Sequence, residues 1–441
     1  MKEFALSKTK SLFWEKLLLL AVMALASANL NAETEKREIK TDTVGLDSLV
    51  SEIIAKNPEI QFYKEAIAGA KAGMRYSSSW NDPELSFDVG YKKLRDSDGS
   101  KITDGAIWQV SVTQVFEWPG RISLRKAIAQ RDVEMAELGV AQFENALASR
   151  ARTLAFGLYA AGAKADAIRE VADRFKSLKE TFLARDPGGV GPMLEIRVIE
   201  SSELALQRRA TEAELAVQSA LIELNLLRGA EIDLPIKVRA PSLKFKDIPE
   251  PARLVSAARA YNYDFRMRKV ELERQGYAVD LARNERYPAI SAGPYLSMDR
   301  VGEKETIIGL SVSLPLPLTD RTSSAVEAAQ SKRRQAETAS IVAFRELNRQ
   351  VLVAAQAYST KLNESRQWSE DSVKKFRDAA ELADRHYRMG TIPIATYVEL
   401  QNSYLDAVEA LLDTQNEILA AGMKLQELTG IDLNPREEIA E

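Results

Sequence analysis

Hydrophobic and polar residues alternate with period two in four short segments of the chain. In the first of them Leu85, Phe87, Val89 and Tyr91 are separated by small, polar or charged residues. Because successive side chains of a strand point to opposite faces, each segment predicts a strand with one apolar and one polar face. The four predicted strands lie at about residues 83–93, 106–117, 288–298 and 306–317.

A different periodicity follows each strand pair, where long stretches contain no proline. Apolar residues recur every seven positions, which is typical of a coiled-coil seam. The first seam runs through Val133, Val140, Leu147, Leu154, Ala161, Ile168, Phe175 and Phe182. We predict a helix of about 65 residues and about 100 Å there, and a second rod from about Arg321 to Arg388. Each rod should end in a turn with glycine as the left-handed exit, before a proline that starts the return helix.

This arrangement occurs twice in the chain. Residues recur at offsets of 205, 200 and 201 positions, as in the pairs Asn57 and Asn262, Pro83 and Pro288, Arg121 and Arg321, Gly189 and Gly390. We therefore predict repeat 1 at residues 46–234, a proline-punctuated linker at 235–251, repeat 2 at 252–433 and a tail at 434–441. Each repeat reads helix, strand, strand, long helix, helix, and the first helices are expected at about 46–78 and 252–286.

Two hairpins leave free sheet edges, and open edges are not tolerated in lipid. Four strands also fall short of the roughly eight found in the smallest membrane barrels. Several chains must therefore pool their strands: two copies supply eight, and three supply twelve with room for a water-filled lumen. The pattern requires an oligomer without counting its subunits. The competing interpretation is that each hairpin packs on a helix of a soluble domain. Four strands with the same alternation, repeated in both halves of the chain, favour the barrel over this interpretation.

Composition narrows the function classes. The 441 residues carry a net charge of −4, one histidine (His386) and no cysteine. Interspersed charges argue against a nucleic-acid surface, and disulfides, thiolate metal sites and cysteine catalysis are excluded. No phosphate-binding loop ends in Gly-Lys-Ser/Thr, and no strand precedes the Gly189–Gly191 pair as a dinucleotide motif requires. We expect no enzymatic activity, no cofactor and no metal site.

The N-terminus has the pattern of an export signal. Lys8, Lys10 and Lys16 precede an apolar core at residues 17–26, and small residues follow. This predicts a signal peptide at 1–32, cleaved after Ala28 or Ala32, and then an N-terminal segment at 33–45.

The duplicated architecture resembles the outer-membrane efflux channels of the TolC type, over about residues 46–433. The segments Gln114 to Arg121 (QVFEWPGR) and Leu314 to Arg321 (LPLPLTDR) resemble most closely the branch that serves heavy-metal exporters of the resistance-nodulation-division class. The resemblance implies a homotrimer, mainly α-helical, with a twelve-stranded outer-membrane barrel that continues into a periplasmic helical barrel. It also implies a periplasmic adaptor and an inner-membrane pump as partners, besides outer-membrane lipid.

The same resemblance suggests where the periplasmic tip would be gated. Tyr387 matches the gating tyrosine, whereas Ile392 occupies the position of the gating arginine, so that link is absent unless Arg388 substitutes. Glu195 and Glu399 fall on acidic positions of the return helices. Threefold symmetry would turn these two glutamates into rings at a constriction, a common cation-selective device. Solvated charges at helix ends are the alternative. The turns at Gly189, Gly191, Gly390 and Thr391 would contact the partners.

The function expected from this resemblance is a passive exit duct, with heavy-metal cations as cargo and drugs as the alternative. Two other functions remain open from the sequence. One is an exit duct for type I protein secretion, and the other is a non-channel periplasmic coiled-coil adaptor or scaffold.

Overall fold

The computed structural model describes residues 43–184, 190–232, 234–241, 243–301, 304–316, 318–366 and 370–437. The predicted signal peptide and Gly189 lie outside the described residues. The chain divides into two compact units, the first Met1–Thr43 with Pro235–Lys237 and the second Val44–Leu234 with Val238–Glu441. Thr43 and residues 235–237 are the described part of the first unit, and apart from the bounds of β1 and β4 the fold below is that of the second.

The described residues include the two strand pairs with flanking helices that the duplication predicts, together with four two-residue strands that it does not predict. The strands are β1 (Thr43–Val44), β2 (Glu84–Arg95), β3 (Lys101–Phe116), β4 (Lys237–Val238), β5 (Leu243–Lys244), β6 (Ile290–Asp299), β7 (Glu305–Ser313) and β8 (Arg436–Glu437). The helices are α1 (Leu46–Lys56), α2 (Glu59–Ser77), α3 (Arg121–Ala184), α4 (Val190–Arg228), α5 (Pro251–Tyr261), α6 (Tyr263–Asn284), α7 (Arg321–Ser365), α8 (Glu370–Arg388) and α9 (Ile394–Thr429). Across the described part of the chain, no helix is long and apolar enough to cross a membrane.

The four long strands form one antiparallel sheet in the order β2-β3-β6-β7. The two hairpins predicted from the alternation are therefore present, and they are joined by the pairing of β3 with β6. Among the described residues, the outer edges of β2 and β7 pair with no other strand. A single chain thus carries a sheet with two open edges.

The first long helix confirms the predicted rod. Helix α3 contains 64 residues, which corresponds to about 96 Å at 1.5 Å per residue. Val133, Leu147, Ile168 and Phe175 of the predicted seam are buried. In repeat 2 the predicted single rod is described as two helices, α7 and α8, and residues 367–369 between them lie outside the described part.

The shorter helices correct the sequence prediction, because each is broken in two at an asparagine. Asn57 separates α1 from α2, and Asn262 separates α5 from α6. The Oδ1 of Asn262 accepts a hydrogen bond from the Phe265 amide at 3.0 Å, and that of Asn57 accepts from the Glu59 amide at 2.9 Å. Each side chain satisfies an amide that a new helix leaves without a partner. The pair of recurring asparagines is thus a pair of helix caps.

Two apolar clusters hold the helices together. One lies between α3, α4, α8 and α9 and includes Phe175, Ile199, Tyr397 and Leu405. The other joins α5, α6 and α7 to the end of α9 around Leu254 and Val351. The first cluster lies beside the predicted tip residues and includes Tyr387.

Part of the predicted linker is paired with the helices and the C-terminal segment. Strand β5 pairs antiparallel with β8, and the Tyr358 hydroxyl of α7 donates to the Lys246 carbonyl at 2.7 Å. The Lys246 ammonium also lies 2.9 Å from the Asp432 carboxylate. The boundaries of the repeats remain predictions, but residues 243–246 are anchored at several points.

Candidate functional site

The register of the sheet places the apolar residues of all four strands on one face. Leu85, Phe87 and Val89 of β2 lie opposite Val112, Val110 and Trp108 of β3. The same face continues through β6 and β7, where Leu296 lies opposite both Val110 and Ile308. On the edge strands β2 and β7 these side chains are exposed, with Phe87 at 65% and Leu310 at 79%, whereas Val110 and Leu296 of the inner strands are half-buried. Large apolar surfaces of this kind mark a contact with another protein or with lipid.

The opposite face of the sheet is polar. Ser86 lies opposite Ser111, and Gly293 lies opposite Ser311. Near the hairpin loops, the Lys92 ammonium lies 2.7 Å from the Asp299 carboxylate, so β2 and β6 are linked across β3. The sheet therefore has one face suited to hydrocarbon and one suited to water.

Gln114 is the polar residue that interrupts the apolar face of β3. Its side-chain amide donates to the Asn81 carbonyl at 2.8 Å and to the Val115 carbonyl at 3.1 Å. Because the amide group is satisfied at the end of the strand, Gln114 is tolerated there.

The segment from Gln114 to Arg121 has a structural role that the sequence pattern did not reveal. The Arg121 guanidinium donates to the carbonyls of Asn284 at 3.2 Å and Tyr287 at 2.6 Å. The ring of Trp118 stacks on that of Tyr287, with centroids 4.7 Å apart. Gly120 has a φ of +89°, which lets the chain turn from β3 into α3. The segment therefore locks the start of α3 to the junction between α6 and β6.

At the other end of the molecule, α8 ends in the predicted glycine turn. Gly390 has a φ of +75°, and its amide donates to the Tyr387 carbonyl at 2.9 Å. The Thr391 amide donates to the His386 carbonyl at 3.0 Å, which completes a Schellman motif. Pro393 then precedes α9 directly. In repeat 1, Gly191 lies in the first turn of α4 and not in the turn before it.

Tyr387 and Glu195 are brought together, although 192 positions separate them. The Tyr387 hydroxyl donates to the Glu195 carboxylate at 3.1 Å, so α8 is joined to α4. The Tyr387 ring is buried and stacks on Tyr397 at 5.2 Å. Burial first, and then the Glu195 charge, raise the pKa of Tyr387 well above its usual value. The tyrosine therefore remains a neutral donor at physiological pH.

The other predicted tip residues have different environments. The Arg388 guanidinium lies 2.8 Å from the Asp384 carboxylate on its own helix and 3.5 Å from the Ser177 hydroxyl of α3. Ile392 packs against the apolar cluster around Tyr397. Glu399 is exposed, and within the described ranges it has no hydrogen bond or ion pair. Glu195 and Glu399 are thus not equivalent in this structure: one has a partner in its own chain and the other faces solvent.

The sequence reasoning missed a buried polar network beside the tip. Gln401 of α9 is fully buried, with its amide donating to the Ala380 carbonyl at 2.8 Å and its oxygen accepting from Arg174 at 3.2 Å. Arg174 also pairs with Glu170 at 2.7 Å. The Arg377 guanidinium of α8 lies 3.3 Å from the same carboxylate. The sequence feature that could have revealed this network is Gln401, a polar residue on an otherwise apolar face of α9.

Burial and the Glu170 charge also raise the pKa of Tyr404, whose hydroxyl lies 3.5 Å from that carboxylate. The network therefore joins α3, α8 and α9 through side chains that are expensive to leave unpaired. Its members provide hydrogen bonds and charge pairs. Among the described residues, no group of three or more acidic or histidine side chains is arranged to hold a metal ion.

Comparison with known proteins agrees with this architecture. Residues 254–431 match the family model described as "Outer membrane efflux protein". No curated protein matches the chain in a comparison of sequences. Several solved structures are similar in fold despite low sequence identity.

Three of these structures illustrate the likeness. CusC is 14% identical, with a TM-score of 0.70 over 88% of this chain and 93% of its own. CmeC of Campylobacter jejuni, an outer membrane channel, is 16% identical, with a TM-score of 0.72 over 87% of this chain and 85% of its own. The open state of MtrE, an outer membrane channel of Neisseria gonorrhoeae, is 13% identical, with a TM-score of 0.69 over 91% and 94%.

Proposed function

We propose that this chain belongs to the outer membrane efflux protein family, whose model it matches over residues 254–431, and that it is the passive exit duct of a tripartite efflux system. The family resides in the outer membrane and extends into the periplasm. The observation that supports the proposal most directly is the uncovered apolar face of a four-stranded sheet with two open edges. Such a sheet is complete only when other chains close it into a cylinder.

Three chains would supply twelve strands and a water-filled lumen, as the family resemblance implies. The polar face with Ser86, Ser111 and Ser311 would line that lumen. The helices α3 and α7 to α9 would continue the passage into the periplasm, where an adaptor and an inner-membrane resistance-nodulation-division pump would dock. Energy for transport would come from that pump.

We propose heavy-metal cations as the cargo, on the resemblance of the segments 114–121 and 314–321 alone. Drugs are the alternative cargo. A cation would pass without tight coordination, because the described carboxylates are not grouped as metal ligands.

We further propose that Tyr387 and Glu195 form a latch that favours a closed tip. The hydrogen bond joins α8 to α4, and these two helices would have to separate if the tip widens. Glu399, exposed on α9, would then contribute the ring of negative charge at the constriction. Gly390 and Thr391 of the adjoining turn would face the docking partners.

The experiment that tests the exit duct is purification from outer membranes, followed by native mass measurement and planar-bilayer recording. A trimer that conducts ions supports the proposal. A well-behaved monomer in the detergent-free periplasmic fraction would contradict it, and would favour the alternative of a coiled-coil scaffold. Challenge of a deletion strain with metals and with drugs then separates the two cargoes.

A separate recording tests the charge ring. The Glu399→Gln variant should lose part of the cation preference of the channel. Glu409→Gln, a change of the same kind further along α9, serves as the control. Unchanged selectivity in both variants would refute the ring.

A further inference from the structure

The duplication presents the same strand-to-helix junction twice, but in the described part of the chain only the first copy finds its partner residues. In the filled junction, Arg121 and Trp118 of repeat 1 contact Asn284 and Tyr287 of repeat 2. At offsets of 200 and 205 positions, the equivalents of Arg121 and Trp118 are Arg321 and Leu318, and those of Asn284 and Tyr287 are Ser79 and Asp82. The second junction would therefore join the segment between β7 and α7 in repeat 2 to the segment between α2 and β2 in repeat 1.

A cavity lies where the second junction should be. It has a volume of about 530 Å³ and is lined by residues of the segment from Tyr76 to Asp82 and by Arg125. Two aromatic side chains at its wall are uncovered: Tyr76 is 85% exposed and Trp80 is 58% exposed. Ser79 and Asp82 both line it, and they are the equivalents of the two residues whose main-chain carbonyls accept from Arg121.

The charges around this cavity favour a cationic occupant. The Asp82 carboxylate has no ion pair or hydrogen bond within the described ranges. Arg125 is paired through Nη1 with the Glu117 carboxylate at 2.8 Å, although its buried Nε has no hydrogen-bond partner among the described residues. The other carboxylate oxygen of Glu117 is buried and has no hydrogen-bond partner among the described residues. The Asp82 carboxylate lines the cavity and would gain from a guanidinium placed there.

The residues of repeat 2 that would complete this junction are also exposed. Leu318 is 85% exposed, and Arg321 is exposed with no side-chain partner in the described part of the chain. Within the described ranges, the Asp82 carboxylate before β2 and the Arg321 guanidinium at the start of α7 thus both lack a partner.

We propose that the cavity receives Leu318 and Arg321 of a second copy of this chain. As Arg121 does in the filled junction, the guanidinium of that arginine would donate to the main-chain carbonyls of Ser79 and Asp82. The Asp82 carboxylate would attract its charge there, and the leucine would cover Trp80 and Tyr76. The proposal rests on the homotrimer proposed above and names the residues that close it. Each chain of the ring would donate one arginine and accept one.

The same repeat equivalence predicts the register in which the open sheet edges pair. Phe116 of β3 lies opposite Ile290 of β6, and their equivalents are Leu316 and Leu85. Antiparallel pairing from that point places Ser313 opposite Asp88 of the neighbouring copy and Val312 opposite Val89. This register keeps apolar residues on one face and polar residues on the other, as sheet pairing requires.

A charge exchange tests the cavity. Asp82→Arg and Arg321→Asp should each raise the apparent dissociation constant of the assembly roughly tenfold or more, because each leaves like charges together. The double variant restores the opposite pair, so it should recover most of that loss. Equal weakening in the single and double variants would overturn the contact.

Cysteine pairs test the register, and the cysteine-free chain provides a clean background. Ser313→Cys is combined in turn with Ser86→Cys, Asp88→Cys and Gly90→Cys, and the assembled protein is oxidised in detergent. Cβ atoms of directly opposed residues come within disulfide range, whereas a shift of two residues places them too far apart. We expect an intermolecular disulfide in the Asp88 combination and at least tenfold less in the other two.

The outcomes separate this inference from the proposed function. A conducting trimer that cross-links through Ser86 or Gly90 would refute the register and leave the exit duct in place. Absence of any oligomer from the unmodified protein would refute the duct itself.

Discussion

An arginine at Leu310 tests whether the apolar face of the sheet meets lipid. Leu310 lies near the middle of β7, opposite Pro294 of β6, and is 79% exposed. An arginine at mid-depth on the lipid face of a barrel destabilises it by about 2–4 kcal/mol. Because the leucine is uncovered by protein, the whole of that penalty should apply in each chain. Three chains would together lose about 6–12 kcal/mol.

The matched control is the next residue. Ser311 lies opposite Gly293 on the polar face, so Ser311→Arg places the same charge in water at almost the same depth. Its expected change in unfolding free energy is within about 0.5 kcal/mol.

Urea unfolding in lipid vesicles, followed by tryptophan fluorescence, measures both variants. Loss of stability in Leu310→Arg alone supports the assignment of the faces. If Ser311→Arg is destabilised as much, or Leu310→Arg is unaffected, the lipid-facing interpretation is wrong.

Three further predictions follow from individual contacts. Tyr387→Phe keeps the stacked ring but removes the hydrogen bond to Glu195, so the closed tip should lose about 1–2 kcal/mol of stability per chain. Planar-bilayer recordings should show a higher open probability, and an unchanged open probability would contradict the latch. Asn262→Ala removes the cap of α6 and should lower the free energy of unfolding by about 1 kcal/mol. If calorimetry shows that the free energy of unfolding changes by less than a few tenths of a kcal/mol, the capping role is ruled out. Burial raises the pKa of Tyr358 to about 12. A tyrosine with a raised pKa in the folded state contributes stability below pH 10 that is lost as the pH rises toward 12. The melting temperature should therefore fall between pH 10 and pH 12, and it should fall less steeply in Tyr358→Phe.

The strands were predictable because their signal is local. A strand alternates its faces residue by residue, so Leu85, Phe87 and Val89 indicate a buried or lipid-facing surface without knowledge of any partner. The 64-residue helix α3 was predictable for the same reason, since its seam repeats every seven residues. The breaks at Asn57 and Asn262 were missed, although asparagine is a good helix cap and the two recur at the same place in both repeats.

The tip could be predicted in part. Gly390 was identified as the residue with the left-handed conformation that ends the helix, because it follows a long helical pattern and precedes a proline. The partner of Tyr387 could not be identified, because Glu195 lies on another helix and its distance along the chain carries no information about contact. The Gln401 network was missed for the same reason, since its partners come from α3 and α8.

The amino-acid sequence by itself determined the types of the main elements, the faces of the strands and the duplication. These properties depend on periodicity and on the hydrogen-bonding requirements of a single chain. The tertiary structure decided the strand order β2-β3-β6-β7, the placement of Arg121 on the second repeat and the joining of Tyr387 to Glu195. Those depend on which distant surfaces meet, and that choice is made by the packing of all the helices at once.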